Sequence, residues 1–120
     1  MRRREFEGLV EKALQSLPRQ FLDQLGELQV IIEDWPSREQ LLEFDMDPDE
    51  ETLFGLFVPG EPILNATSMN DHFPDCIYVF KGPIEEVCDT VGEIAEEVRL
   101  TVLHEIGHYF GLNEEQVEHL

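Results

Sequence analysis

Basic residues are scarce. The 120-residue chain holds 8 Lys and Arg against 27 Asp and Glu, a formal charge of −19. Arg2, Arg3 and Arg4 are three of those cations, so from Glu5 onward the count is 5 against 27, or −22. A surface that acidic repels phosphate backbones and anionic lipid, so the expected partners include no nucleic acid and no membrane. Long apolar runs are missing too: none approaches the ~20 residues that span a bilayer. Glu5, Glu7, Glu11 and Lys12 stand where a signal peptide would carry its apolar core after Arg2–Arg4, so the chain is expected to be cytoplasmic. The 2 cysteines, Cys76 and Cys88, form no CxxC pair and so suggest no metal or redox site by themselves; their count allows a disulfide, and a reducing compartment favours two buried thiols. Internal repeats, low-complexity tracts and linkers are absent, which favours one domain over residues 1–120.

What is present is a globular composition. Hydrophobic residues make up 42% and aromatics 9%, too much for a disordered chain. Phe6, Leu9, Val10, Ala13, Leu14 and Leu17 recur at helical spacing, predicting an amphipathic helix over 5–17 that Pro18 stops. RQFLDQLGE reads as a short second helix ending at Gly26. LQVII, residues 28–32, is a β-branched run and predicts a buried strand ended by Trp35-Pro36. Ser37 is placed to cap one or two helical turns in SREQLLEF. The alternating aspartates of FDMDPDEET lack the sixth-position Gly and twelfth-position Glu of a calcium loop, so this is read as a solvated acidic loop. TLFGLFV, residues 52–58, reads as a strand, Pro59-Gly60 as a turn and residues 60–75 as a long loop. CIYVF, residues 76–80, reads as a third strand, and Lys81-Gly82-Pro83 leads into a helix. Gly8 and Gly55 fall inside expected elements, where a glycine can mark a bend.

Chemistry concentrates in residues 90–111. Thr90 and Glu93 fit a capping box, Ala95, Val98, Val102, Ile106 and Phe110 form an apolar stripe, and Gly111 suits the left-handed position past a helix end. This helix carries His104-Glu105-Ile106-Gly107-His108, an HExxH pattern. Residues four apart share a helical face, so His104 and His108 can hold one tetrahedral Zn²⁺ at about 2.1 Å. Glu105 is rotated about 100° from His104. It is poorly placed to bind the same ion but can take a proton from a water beside it. Thr101 and Glu97 lie on that face one and two turns earlier. With this chain's His and Glu frequencies, such a match arises by chance at about 2%. Here it falls on a capped helix opposite an apolar stripe, the setting its chemistry needs.

A third ligand must come from elsewhere. Glu114 extends the pattern to HExxHxxGxxE, and Glu115, Glu118 and His119 are rivals. Asn113 can also cap a short helix that has Glu114 merely in its first turn. In metzincin zinc proteases the corresponding position is His or Asp. Two neutral histidines and one carboxylate would leave a zinc site with net charge +1, open at the fourth position.

HEIGHYFGLNEE, preceded by CIYVF and KGP, resembles the bacterial minimal zincin-like metallopeptidase family, most clearly from about Phe73 to Leu120. The resemblance implies an α+β zincin-like fold, with a small twisted sheet packed on an N-terminal helix and on the HExxH helix. It implies one Zn²⁺ per chain, held by His104, His108 and Glu114, with Glu105 as general base. It also implies an edge strand that binds substrate by β-augmentation, for which Cys76, Ile77, Tyr78, Val79 and Phe80 are the candidates by chain order. No methionine follows the motif to make a metzincin Met-turn, and no further ligand helix follows it. The resulting expectation is a zinc-dependent metallopeptidase acting on a peptide or protein, with Tyr109 or His72 available to hold the oxyanion. The alternative is a non-hydrolytic zincin-fold module that binds metal and a partner protein.

Overall fold

A computed structural model describes residues 1–61, 73–113, 115 and 116. In chain order the elements are α1 (Arg3–Gln15), α2 (Arg19–Leu22), β1 (Gln29–Glu33), α3 (Arg38–Glu43), β2 (Gly55–Val58), β3 (Cys76–Phe80), α4 (Lys81–Val87) and α5 (Val91–Tyr109). The architecture is α+β, as expected. No helix is long and apolar enough to cross a membrane among the described residues.

Local chemistry sets the helix ends. The Ser16 hydroxyl donates to the Ala13 carbonyl at 2.6 Å, competing with the backbone, so α1 stops before the expected Leu17. α2 is one turn, shorter than expected, because Gln24 and Leu25 donate to Phe21 and Leu22 in tight i→i−3 bonds. Gly26 then takes φ +57°. Ser37 and Gln40 make both arms of a capping box on α3. Thr90 accepts from the Glu93 N–H at 3.1 Å, so only one arm of the box expected on α5 is present.

The three strands form a mixed sheet in the order β1-β3-β2. β1 pairs parallel with β3, Val30 opposite Ile77 and Ile32 opposite Val79. β2 pairs antiparallel with β3, Gly55 opposite Val79 and Phe57 opposite Ile77. Period-2 alternation turns Ile77 and Val79 towards the helices and Tyr78 and Phe80, stacked at 6.3 Å, to the other face. Phe6 and Val10 of α1, Val98, Val102 and Ile106 of α5, and Ile77 and Val79 close the main core. Ala95 and Phe110, expected in the α5 stripe, are only half-buried.

This order corrects the expectation for residues 76–80. Cys76, Ile77, Tyr78, Val79 and Phe80 form the central strand, with backbone pairing used on both sides, so they have no edge to offer a peptide. The continuous apolar run suits a strand covered on both faces. The edge lying against α5 is β2. It begins at Gly55 rather than Thr52, because β3 passes directly into α4 and the last pairing bond runs from the Phe80 N–H to the Phe54 carbonyl, 2.8 Å. The other edge, β1, is covered at Ile32, whose carbonyl accepts from the Arg3 guanidinium.

Candidate metal centre

The α5 helix brings three chemically active side chains together in its last two turns. His104 and His108, one turn apart, face each other with Nε2 atoms 3.0 Å apart and rings nearly perpendicular at 83°. Two nitrogens sharing a tetrahedral ion with bonds of about 2.1 Å lie about 3.4 Å apart, so a small ring rotation converts this pair into a bidentate clamp. The donor atoms of His104, Glu105 and His108 all lie within 4.8 Å of one another. Two imidazoles and a carboxylate are donors that suit zinc.

Glu105 is 8% exposed, and Thr101, one turn earlier, is 7% exposed. Both lie under Gly55. A Cβ on Gly55 would stand 2.6 Å from Thr101 Cγ2, 3.1 Å from Glu105 Cγ and 3.2 Å from the Tyr78 carbonyl oxygen. The glycine is therefore a site of close approach between edge strand and helix, not a bend. Its φ is not in the left-handed region, so space rather than backbone conformation requires it. Gly8 has open space around it.

A cleft of about 300 Å³ opens beside His104 and Glu105, lined also by Phe54, Gly55, Glu97, Leu100 and Thr101. Glu97 and Thr101, picked out in the sequence by helical spacing, both reach it. Phe54 and Gly55 carried no chemical signal, and only a glycine interrupting a strand pattern pointed to them.

The helix ends in a Schellman motif. Gly111, at φ +78°, donates to the His108 carbonyl at 2.9 Å, and Leu112 donates to the Gly107 carbonyl at 3.0 Å. Leu112 then shares an apolar pocket with Ile106, the contact typical of this cap. Asn113 Oδ1 accepts from the Gln116 N–H at 2.8 Å while Gln116 Oε1 accepts from the Asn113 N–H at 2.9 Å. Asn113 therefore caps the next turn. Glu114, Glu118 and His119, and likewise His72, lie outside the described residues. Glu115 is exposed and is not part of the His104–Glu105–His108 cluster.

One expectation changes. Tyr109 does not face the cleft: its hydroxyl donates to the Leu25 carbonyl at 3.1 Å and its ring packs edge-on against Phe57 at 5.9 Å. It ties the end of α5 to the chain leading into β1. The acidic segment 45–51 makes local turn contacts, with the Asp49 N–H donating to Asp47 Oδ1 at 2.9 Å and Arg38 Nη1 lying 3.7 Å from Asp49. It contributes to no metal-binding cluster among the described residues. Both cysteines are free thiols, and burial pushes the Cys88 thiol above its ordinary value.

Comparison with known proteins matches this architecture. None of the curated proteins matches the chain. Among solved structures, a conserved hypothetical protein from Thermus thermophilus is similar, with TM-score 0.60 and 24% identity over 90% of this chain and 92% of that one. At that identity the likeness speaks for the fold. The sequence profile of the zincin-like metallopeptidases matches residues 25–120, from the chain before β1 through the HExxH helix and beyond. With four-fifths of its length inside that match, this chain belongs to the zincin-like metallopeptidase family.

Proposed function

We propose that this protein is a zinc-dependent peptidase. One observation carries the reading: the His104 and His108 Nε2 atoms converge to 3.0 Å near the Glu105 carboxylate, and His104 and Glu105 line a cleft bordered by the start of edge strand β2. A purely structural metal site has no use for a carboxylate held there. A zinc ion bound by His104, His108 and Glu114 would supply Lewis acidity to the scissile carbonyl and lower the pKa of water in the site.

The chain's own residues do the rest. Glu105 accepts the proton of the attacking water and returns it to the amine nitrogen as the C–N bond breaks. Packing beneath Gly55 and beside Thr101 restricts its side chain, so the base is positioned before substrate arrives. The peptide adds to the outer edge of β2, which pairs with no strand there among the described residues. Main-chain hydrogen bonds would then set its register over His104 and Glu105. The role first given to Cys76–Phe80 passes to Gly55–Val58.

Two measurements test this. Purified, chelator-free protein should hold about one zinc per chain, and His104→Ala or His108→Ala should release it. Glu105→Gln should keep the metal and lose cleavage by at least about 10²-fold. Retained cleavage by zinc-loaded Glu105→Gln would overturn the mechanism. Full zinc loading without cleavage of any peptide in a mixed library would move the protein to the alternative, a metal-binding interaction module.

A further inference from the structure

The cleft beside His104 continues one and two turns back along α5, and its lining changes character there. Leu100 and Phe54 are apolar, whereas Glu97 places a carboxylate in the same wall. Glu97 is half-buried, and no cation pairs with it among the described residues. Its neighbour Glu96 differs: it points to solvent and is held by Arg99 at 2.6 Å. The described cleft lining includes no Lys or Arg. An apolar wall ending in one carboxylate fits a long side chain with an aliphatic stem and a cationic head.

The sheet shows how such a side chain would reach it. A peptide lying along β2 runs about 4.8 Å from that strand, and every second side chain turns towards the helical face, the face on which Gly55 and Phe57 lie. Gly55 lets the strand lie directly against Thr101 and Glu105, so the start of β2 forms one wall of the cleft. We infer that Glu97 is a specificity-determining residue that selects substrates carrying Lys or Arg at the position facing the Phe54–Leu100 wall. The inference rests on the peptidase reading for the word substrate, but the selectivity itself is a property of binding.

The test therefore uses binding rather than turnover. The probes are fluorescein-labelled alanine-rich hexapeptides carrying a single Lys, scanned through all six positions, with matched norleucine peptides that keep the stem and lack the charge. Anisotropy titrations use zinc-loaded Glu105→Gln protein at 150 mM NaCl, which screens the general acidity of the surface. At one position the Lys peptide should bind about fivefold tighter than its norleucine match. Adding Glu97→Gln should abolish that difference and leave norleucine binding unchanged. The exposed Glu86→Gln, on α4, should preserve it. Equal affinities at every position, a preference that survives Glu97→Gln, or no binding by any peptide overturns the inference. The peptidase reading stands or falls separately, on wild-type cleavage and zinc content.

Discussion

Alanine at Gly55 adds one methyl group between the edge strand and the helix that carries the site. It would meet Thr101 Cγ2 at 2.6 Å and Glu105 Cγ at 3.1 Å. Non-bonded carbons rest about 3.5–4.0 Å apart, so the first contact is short by about 1 Å. Thr101 is buried, β-branched and on a helix, which leaves it little rotamer freedom to yield. Either β2 moves outward or Glu105 turns aside. Overpacking of this kind costs about 1–3 kcal/mol, offset by about 0.4–1 kcal/mol because the unfolded chain loses glycine's freedom. The net loss should be about 1–2 kcal/mol, or about 4–8 °C in Tm. Cleavage should fall further than stability, since a displacement of about 1 Å at a catalytic group can cost about 10²-fold. Thr101→Ser removes the obstructing methyl. Alone it should lose about 1 kcal/mol of burial, and combined with Gly55→Ala it should restore most of that variant's loss. Urea unfolding of the four proteins gives the cycle, with an expected coupling of about 1 kcal/mol or more. A Gly55→Ala protein within about 0.5 kcal/mol of wild type, or strict additivity with Thr101→Ser, would refute the close-contact account.

Other perturbations separate site from scaffold. Tyr109→Phe should lower stability by about 1 kcal/mol through loss of the bond to Leu25 while leaving kcat/KM unchanged; a large drop in kcat would return Tyr109 to the chemistry. Gly111→Ala should cost about 1–2 kcal/mol from its φ of +78° alone, since nothing lies within 4 Å of the added methyl, and Gly111→Asn should cost less; equal losses on urea unfolding would argue against a left-handed cap. The Lys81 ammonium, 2.5 Å from Glu85 Oε1, holds the Glu85 carboxyl below its ordinary value of 4.5. Its contribution to stability is therefore present above that pH and disappears as pH falls through the lowered folded value. Denaturation of wild type and Glu85→Gln should differ near neutrality and converge in acid, and a gap that stays constant down to acid pH would contradict the pairing.

Much of this molecule was legible in its residues, for reasons that can be named. The Cys76–Phe80 strand has the expected bounds because a β-branched and aromatic run between Pro74-Asp75 and Lys81-Gly82 has few alternatives. Ser37, Thr90 and Gly111 mark helix ends through short-range hydrogen bonds and backbone sterics, which depend on few residues. The His104–His108 pair needed only the helical repeat. Strand order was another matter: periodicity records which faces are buried, not which strand lies alongside. The edge role was given to residues 76–80 for that reason, and in the sheet it is residues 55–58 that lie at the margin beside α5. Phe54 and Gly55 entered the site through a tertiary approach, and only the glycine hinted at it. Tyr109 sits one residue past His108, yet its hydroxyl is engaged by Leu25, a partner 84 positions away.

The two margins of the sheet are not equivalent, and this bears on how copies of the chain behave in solution. Arg3 spans the β1 margin and occupies the Ile32 carbonyl, so that side is a poor template for further pairing. The β2 margin is a short template of four residues, Gly55–Val58, and another β2 would fit it as well as the proposed substrate would. A charge of −19 on each molecule opposes that encounter at long range. Any pairing of copies through these margins should therefore grow with ionic strength, because salt screens the repulsion that holds the molecules apart in dilute buffer.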